Sequence, residues 1–284
     1  VTACLILPVG ALVAWLSTRV RRRTLLLGTM AFWGAGHLAF WVLDPLLPPA
    51  WVHVPFYFWV DLYVTTSVAL FWSFVNEHVT SDMAKRLFGI VGAGGMVGGI
   101  LGSSLSGFLA PAFGGRNLLL LTLGTTTATF LVILVLEKRL RRWRAACAVE
   151  TPATEGPGVR AAWDGAAMVV RSPYLLGILA IVLLYEVSSV LADYQFSSYV
   201  ATEFPGKALA DQRTAYLGQF SMVAGLIGLA IQLLATSLVQ RRLGLGAALS
   251  VLPVALIAGA GAFAIAPGLI GASLWFGADA TLNY

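Results

Sequence analysis

The chain has 284 residues, of which 58% are hydrophobic and only 11% are charged, with a formal net charge of +5. An average soluble domain carries about 25% charged residues. This composition, with a mean hydropathy of +0.84, therefore excludes an ordinary soluble domain and indicates a polytopic membrane protein. Cys4 and Cys147 lie in segments of different character and no CxxC pair occurs, so neither a disulfide framework nor a metal site is expected.

Hydropathy predicts nine apolar segments, each near the roughly 20 residues that a helix needs to cross a bilayer. Backbone polar groups cannot stay unpaired in lipid, and no segment alternates with the period of two of a barrel strand. All nine are therefore predicted to be helices. They lie at residues 1–18, 24–43, 52–75, 86–112, 117–136, 173–198, 213–239, 245–266 and 268–284.

The basic residues predict how these segments are oriented. The loops on one side hold 15 of the 18 Lys and Arg residues, whereas the opposite loops hold only Arg116, Lys207 and Arg213. Cytoplasmic loops carry an excess of Lys and Arg. Residue 1 is therefore predicted to lie outside, and the loop at residues 137–172 in the cytoplasm.

That loop also divides the chain. It begins with a basic stretch, continues with Pro, Gly and Thr, and is too polar to cross a membrane. We predict an N-terminal helical half at residues 1–136, a cytoplasmic linker at 137–172 and a C-terminal helical half at 173–284. A flexible tether is the simpler interpretation of the linker, and a lipid-binding helix at residues 138–144 is the alternative.

The two halves show weak internal similarity. The stretch LVAWLSTRVRRRTLLLG at residues 12–28 is similar to LLATSLVQRRLGLGAAL at 233–249, and LFWSFVNEH at 70–78 is similar to SLWFGADAT at 273–281. This pattern is typical of a transporter built from two parallel halves. Because the chain starts at Val1 without a charged leader and stops within an apolar run, we expect a fragment. With six helices in each half, the nine segments would be helices two to ten of twelve, the first half lacking its first helix.

Four carboxylates lie inside apolar segments, where ionisable groups are costly and mark function by default. They are Asp61, Glu186, Asp193 and Asp279. Glu186 and Asp193 are two helical turns apart and so share a face, together with Ser189 and Val190. We expect this face to line an aqueous substrate or ion pathway. For Glu186 the alternative is a neutralised carboxyl that is hydrogen-bonded to a neighbouring helix, and for Asp193, near the outer surface, it is simple solvation. Asp61 is interpreted as a proton site, a cation site or a structural partner.

The glycine-rich segment does not match a nucleotide-binding loop. No Lys follows the glycines as a P-loop requires, and position 97, where the dinucleotide motif needs Gly, is Val. Small residues spaced four apart instead predict close helix packing, either static or as a sliding contact. The glycines involved are Gly95, Gly98, Gly99, Gly102 and Gly107.

The loop before this segment holds both signs of charge. Asn76 ends one helix, and Lys85 and Arg86 begin the next. We predict Asn76 as part of the pathway, and Lys85 with Arg86 either as a solvated turn or as an anion contact at the cytoplasmic mouth. His37 is interpreted as a satisfied polar residue. The sequence shows no catalytic triad, no paired catalytic carboxylates and no metal-ligand spacing, so neither an enzyme nor a cofactor is expected.

The stretch FWSFVNEHVTSDMAKRLFGIVGAGGMVGGILGS resembles the ATP:ADP antiporters, the nucleotide translocases of obligate intracellular bacteria and plastids. It is more similar still to their free-living bacterial relatives within the major facilitator superfamily. The similarity is carried by the Trp-bearing helix end, Asn76, the acidic loop and the AKRLF sequence at residues 84–88. The terminal FGADATLNY is similar to the equivalent position of the second half.

The resemblance implies an all-α membrane bundle of the major facilitator type that exchanges nucleotides by rocking two halves about a central cavity. It also implies a bacterial inner membrane, with the bilayer and a small molecule as partners and no nucleic acid or obligate protein partner. Nucleotide phosphates need cationic side chains, yet no Lys or Arg lies in the middle of any segment. The alternatives are therefore transport of another organic anion or an unrelated solute, and a non-transporting sensor or scaffold module.

Overall fold

The computed structural model of the chain describes residues 2–20, 22–78, 81–147, 167–206 and 208–282. These residues form helices and short connections, and no strand occurs among them. The described part of the chain contains the α-helices α1 (Thr2–Arg19), α2 (Arg22–Leu43), α3 (Pro49–His78), α4 (Ser81–Phe113), α5 (Leu118–Cys147), α6 (Pro173–Glu203), α7 (Ala210–Ile231), α8 (Ser237–Ile265) and α9 (Leu269–Leu282). The predicted all-helical fold class is confirmed.

Six stretches of the described residues are long and apolar enough to cross a membrane. They are Thr24–Leu43, Pro49–Ser73, Ile90–Phe113, Gly115–Leu136, Pro173–Glu203 and Ala210–Leu234. Two further apolar helices, Ser250–Ile265 and Leu269–Leu282, are shorter. Side chains in these stretches are mostly exposed to the surroundings rather than packed inside, as expected where lipid replaces water as the solvent for apolar groups.

Two helix boundaries differ from those read from hydropathy. Helix α5 continues to Cys147, eleven residues past the predicted end at 136, because the added residues are mainly Leu, Ala, Lys and Arg, which are strong helix formers. A π-helical turn at Gln232–Thr236 joins α7 to α8. The predicted connection between the segments that end at 239 and begin at 245 contains Gly244, where φ is 84°. Residues 148–166 of the predicted linker lie outside the described part.

The chain divides into two compact units. The first contains Val1–Ser81 and Arg116–Ser172, and the second contains Asp82–Gly115 and Pro173–Tyr284. By packing, α4 is grouped with the second unit, although it precedes the linker in sequence. The predicted halves at residues 1–136 and 173–284 are defined by internal sequence similarity and not by packing, and this division stays a prediction.

The first unit is organised around aromatic packing between α2 and α3. The rings of Trp33 and Trp59 are 4.6 Å apart, and those of Trp33 and Tyr63 are 5.8 Å apart. A Cβ at Gly36 would overlap the Trp59 ring, so only glycine admits that indole. The core of this unit continues at its other end as a small cluster of Leu25, Leu26 and Leu70.

The second unit is organised around α9, which packs against α6, α7 and α8. Phe196 of α6 stacks on Phe276 of α9 with ring centroids 4.8 Å apart, and Val200 and Ala272 are fully buried beside them. Glycines let the helices approach closely: a Cβ at Gly259 would lie 2.9 Å from Trp275 Cα, and one at Gly228 2.9 Å from the Thr281 carbonyl oxygen. Backbone contact therefore fixes α9 in place.

Candidate functional site

A buried carboxylate lies at the centre of the second unit. Asp279, in α9, is 5% exposed, and its Oδ2 accepts a hydrogen bond of 2.6 Å from the Ser189 hydroxyl of α6. Its Oδ1 is also buried, and no group of the described residues donates a hydrogen bond to it. Buried polar atoms are almost always paired, so this oxygen marks the position as a candidate site.

The face of α6 that packs on α9 carries the partners of this carboxylate. Tyr185 and Ser189 are four residues apart and so lie one above the other, and Phe196 and Val200 continue the same packed face. The Tyr185 hydroxyl interacts with both Ser189 and Asp279. It is buried without a well-formed hydrogen bond among the described residues. Two hydroxyls therefore surround one carboxylate.

Glu186 and Asp193 lie beside this packed face, not on it. Each follows a residue of the packed face, Tyr185 and Ala192 respectively, and a helix turns by about 100° per residue. Both carboxylates are exposed, as is Val190 at 63%. Asp193 also interacts electrostatically with Asp279. Ser189, which was predicted from the sequence to lie on the same face, instead contacts Asp279. That the exposed edge with Glu186 and Asp193 lines a pathway stays a prediction.

Asp61 of α3 belongs to the first unit, where it is half-buried, and no described residue forms a hydrogen bond or ion pair with it. His37 is 1% exposed. Its Nδ1–H donates a hydrogen bond of 2.7 Å to the Trp33 carbonyl, and its ring packs edge-on against Tyr63 at 4.9 Å. The structure thus agrees with the interpretation of His37 as a satisfied polar residue.

The cytoplasmic-turn residues Asn76, Lys85 and Arg86 lie in α3 and α4, but their side chains fall outside the described part of the structure. The pathway role of Asn76 and the anion contact of Lys85 and Arg86 stay predictions.

The predicted packing glycines of α4 have different surroundings. Gly107 is buried, and its Cβ would lie 2.8 Å from the Gln219 backbone nitrogen of α7. A Cβ at Gly95, Gly98 or Gly102 would meet no described atom within 4 Å, and Gly99 is exposed. Close packing is thus observed at Gly107. For the other four glycines it stays a prediction.

The structure shows a polar cluster at one end of the first unit that was not predicted from the sequence. The Arg116 guanidinium donates hydrogen bonds of 2.8 and 3.2 Å to the Trp41 carbonyl and lies over the Trp41 ring at 4.7 Å. Asp44 is 3.8 Å from Arg116 and 3.1 Å from His53. Arg116 therefore joins the start of α5 to the end of α2.

Among the residues around Asp279, Tyr185 was not predicted from the sequence. Its spacing of four residues from Ser189 could have indicated that the two side chains lie on the same face. The sequence placed Ser189 on the pathway face, whereas the structure turns its hydroxyl toward Asp279, 90 residues away. Among the described residues, no group of three or more His, Cys, Asp or Glu side chains is arranged to hold a metal ion.

Comparison with known proteins identifies the family. The family model of the Major Facilitator Superfamily matches residues 1–282. The chain is 26% identical over 230 residues to ADP,ATP carrier protein 1 of Chlamydia muridarum, covering 76% of this chain and 43% of the relative. It is 26% identical over 229 residues to ADP,ATP carrier protein 1 of Rickettsia conorii, covering 75% and 44%. It is 25% identical over 216 residues to the chloroplastic ADP,ATP carrier protein 1 of Arabidopsis thaliana, covering 73% and 34%.

The chain spans less than half the length of these curated relatives. No solved structure matches it. With the family match over nearly all of its residues and six candidate membrane spans in the described part, the chain is an integral multi-pass membrane protein that belongs to the Major Facilitator Superfamily.

Proposed function

We propose that the chain forms part of a secondary transporter that exchanges nucleotides, or related organic anions, by alternating access. The observation that supports transport is α6, a membrane-spanning helix with two exposed carboxylates, Glu186 and Asp193, beside its packed face. Intramembrane carboxylates are costly in lipid and are tolerated where a helix borders water or protein. This proposal assigns the exposed edge of α6 to a water-filled pathway.

The nucleotide substrate is supported by the relatives, several of which are named as ADP,ATP carriers. In this proposal Lys85 and Arg86 contact the substrate phosphates at the cytoplasmic mouth, since charge-assisted hydrogen bonds from cationic side chains bind phosphates best. Asn76, near the end of α3, contributes a neutral polar contact in this proposal. Asp61 of α3 is proposed as a further pathway residue.

The proposal also includes an orientation in the membrane, with residue 1 outside and the linker at residues 137–172 in the cytoplasm. The support is the uneven distribution of Lys and Arg, 15 of 18 on one side. With this orientation Lys85 and Arg86 face the cytoplasm, where ATP and ADP are found. For the membrane, we propose a bacterial inner membrane; its support is that two of the relatives are bacterial, those of Chlamydia muridarum and Rickettsia conorii.

The test is exchange in liposomes. Purified protein is reconstituted into liposomes loaded with ADP, and uptake of labelled ATP is followed against liposomes without internal ADP. We expect uptake that requires internal nucleotide. Lys85→Gln with Arg86→Gln should weaken it. The charge-matched control is Lys138→Gln with Arg139→Gln, which also removes two basic charges, from exposed residues of α5. Equal uptake in empty and loaded liposomes would refute exchange.

A second candidate is transport of a solute that is not a nucleotide. It is favoured by the excess of intramembrane carboxylates over cations, because four carboxylates but no Lys or Arg lie in the middle of the apolar segments. Like charges repel, so exposed Glu186 and Asp193 would oppose a triphosphate nearby. A panel of labelled nucleosides, amino acids and organic cations in the same liposomes distinguishes the two candidates. Absence of uptake of any solute would favour a non-transporting sensor or scaffold.

A further inference from the structure

We propose that Asp279 is a proton-binding site, at which Oδ1 takes up and releases a proton during the transport cycle, with Ser189 and Tyr185 as its hydrogen-bond partners. This inference rests on the proposed transport function and deepens it, since it names a proton as a coupled ligand. It is carried by the geometry around one side chain in the core of the second unit.

The first argument is the unequal pairing of the two carboxylate oxygens. Oδ2 is paired with the Ser189 hydroxyl at 2.6 Å, whereas Oδ1 is buried without a donor among the described residues. An unpaired, buried, charged oxygen loses its solvation without replacement. A proton on Oδ1 removes the charge and turns that oxygen into a donor for a neighbouring acceptor.

The second argument is that such an acceptor is present. The Tyr185 hydroxyl faces Ser189 and Asp279 and is itself buried without a well-formed partner. A hydroxyl both donates and accepts. With Asp279 ionised, Tyr185 can donate to Oδ1. With Asp279 protonated, Oδ1–H can donate to the Tyr185 oxygen. The same pair thus serves both protonation states after a small adjustment.

The third argument is the charge of the surroundings. Helix α9 packs against α6, α7 and α8. From α6, Tyr185 and Asp193 interact with Asp279, and Glu186 interacts with Tyr185. Helix α7 has no ionisable residue after Tyr216, α8 has none after Gly244, and α9 has none besides Asp279.

The contacts of α9 show which parts of α7 and α8 lie beside Asp279, and those parts contain no ionisable residue. Gly228 of α7 packs on Thr281, and Gly259 of α8 packs on Trp275. The part of α7 beside Asp279 therefore lies beyond Tyr216, and the part of α8 beside it lies beyond Gly244. Asp279 thus interacts with one further carboxylate, Asp193, and with two hydroxyls, and no described cationic side chain of these helices pairs with it. A proton supplies the missing positive charge.

The fourth argument concerns the size of the ligand. Oδ1 is out of reach of water, so a hydrated cation has no room beside it in this conformation. A proton needs neither volume nor a coordination shell, so it fits this site.

The experiment uses infrared difference spectroscopy of the purified protein in liposomes, which requires no knowledge of the substrate. Spectra are recorded across a pH titration, and the carboxyl C=O stretch of the wild type is compared with that of Asp279→Asn. Among the carboxyl bands of the chain, we expect one titrating band that is lost in Asp279→Asn and kept in Glu203→Gln, which removes an exposed carboxylate at the end of α6. Identical wild-type and Asp279→Asn spectra would overturn the proposal.

Ser189→Ala keeps the carboxyl and removes its donor, so it tests the site even where Asp279→Asn fails to fold. The band should persist and shift in frequency, because the hydrogen bond to Oδ2 is gone. An unshifted band would overturn the assignment. Titrations in sodium and in choline salts should coincide, and a sodium-dependent loss of the band would make the site a cation site instead.

Transport then separates this inference from the proposed function. With a pH-sensitive dye inside the liposomes, wild-type protein should move protons when solute exchange runs, and Asp279→Asn should not. A titrating band without nucleotide exchange refutes the nucleotide proposal and leaves the proton site intact. Nucleotide exchange without the band overturns the proton site alone.

Discussion

Gly107 offers a sharp test of how the helices of the second unit pack. It is buried in α4 against α7, and a Cβ there would lie 2.8 Å from the Gln219 backbone nitrogen, 3.0 Å from Gln219 Cγ and 3.2 Å from the Gly218 carbonyl carbon. Favourable contacts begin at about 3.5 Å. Gly107→Ala therefore requires the two backbones to separate by roughly 0.7 Å, because a backbone nitrogen cannot rotate away as a flexible side chain does.

The magnitude follows from two opposing effects. Overpacking of a close contact costs about 1–3 kcal/mol. Alanine in place of glycine within a helix raises the free energy of unfolding by about 0.5–1 kcal/mol, because alanine loses less backbone entropy on folding. The matched control is Gly102→Ala, five residues earlier in α4, where a Cβ meets no described atom within 4 Å. The helix-propensity gain is common to both variants, so their difference in stability isolates the packing cost.

The measurement is unfolding of the purified protein in mixed micelles, followed by far-ultraviolet circular dichroism. We expect Gly102→Ala to be as stable as the wild type or slightly more stable. Gly107→Ala should lie about 1–3 kcal/mol below Gly102→Ala in free energy of unfolding. A Gly107→Ala variant equal to or more stable than Gly102→Ala would refute the close contact. Gly218→Ala tests the same contact from α7, since its Cβ would lie 2.8 Å from Gly107 Cα.

Three further predictions follow. Glu186→Gln should reduce transport by about tenfold, the effect of one lost charge-assisted contact, without lowering membrane insertion measured by fractionation; unchanged uptake would make Glu186 structural. Leu46→Cys should react with a membrane-impermeant maleimide in intact cells and Met168→Cys only after permeabilisation, both side chains being exposed at 69% and 62%; the reverse pattern would invert the orientation. Arg116→Lys should lower stability by about 1 kcal/mol, because lysine keeps the charge but loses the paired hydrogen bonds and the stacking on Trp41; an unchanged unfolding midpoint would contradict that role.

The fold class was predictable because lipid imposes one strong rule. Every backbone group must be paired within the segment, so apolar stretches of sufficient length can only be helices. Hydropathy reports where the membrane ends and not where a helix ends. The end of α5 was therefore set too early, since the basic residues after 136 continue the helix into the polar region. The grouping of α4 with the second unit depends on contacts with α7 that no local pattern contains.

The glycines of α4 show the same limit at the level of a single residue. Their spacing of four residues predicts close packing along one face of α4, but so many glycines in one segment lie on several faces of the helix. Which face meets a neighbour depends on α7, where Gly218 lies opposite Gly107. The sequence therefore indicated the kind of contact, and only the partner helix shows that Gly107 makes it in this structure.

The candidate site divides in a similar way. The cost of a carboxylate in lipid was enough to select Asp279, Glu186 and Asp193 from the sequence, but not to tell their environments apart. The structure distinguishes these environments. On the packed face of α6, the Ser189 hydroxyl donates a hydrogen bond to Asp279, while Glu186 and Asp193 are exposed at the adjoining edge of the same helix. Any shift of α6 against α9 must change the hydrogen bond to Asp279 and the position of the exposed edge together, because one helix carries both. A ligand that binds one arrangement better than the other then shifts both at once, so protonation at Asp279 and solute contact at Glu186 would be linked without any direct contact between them.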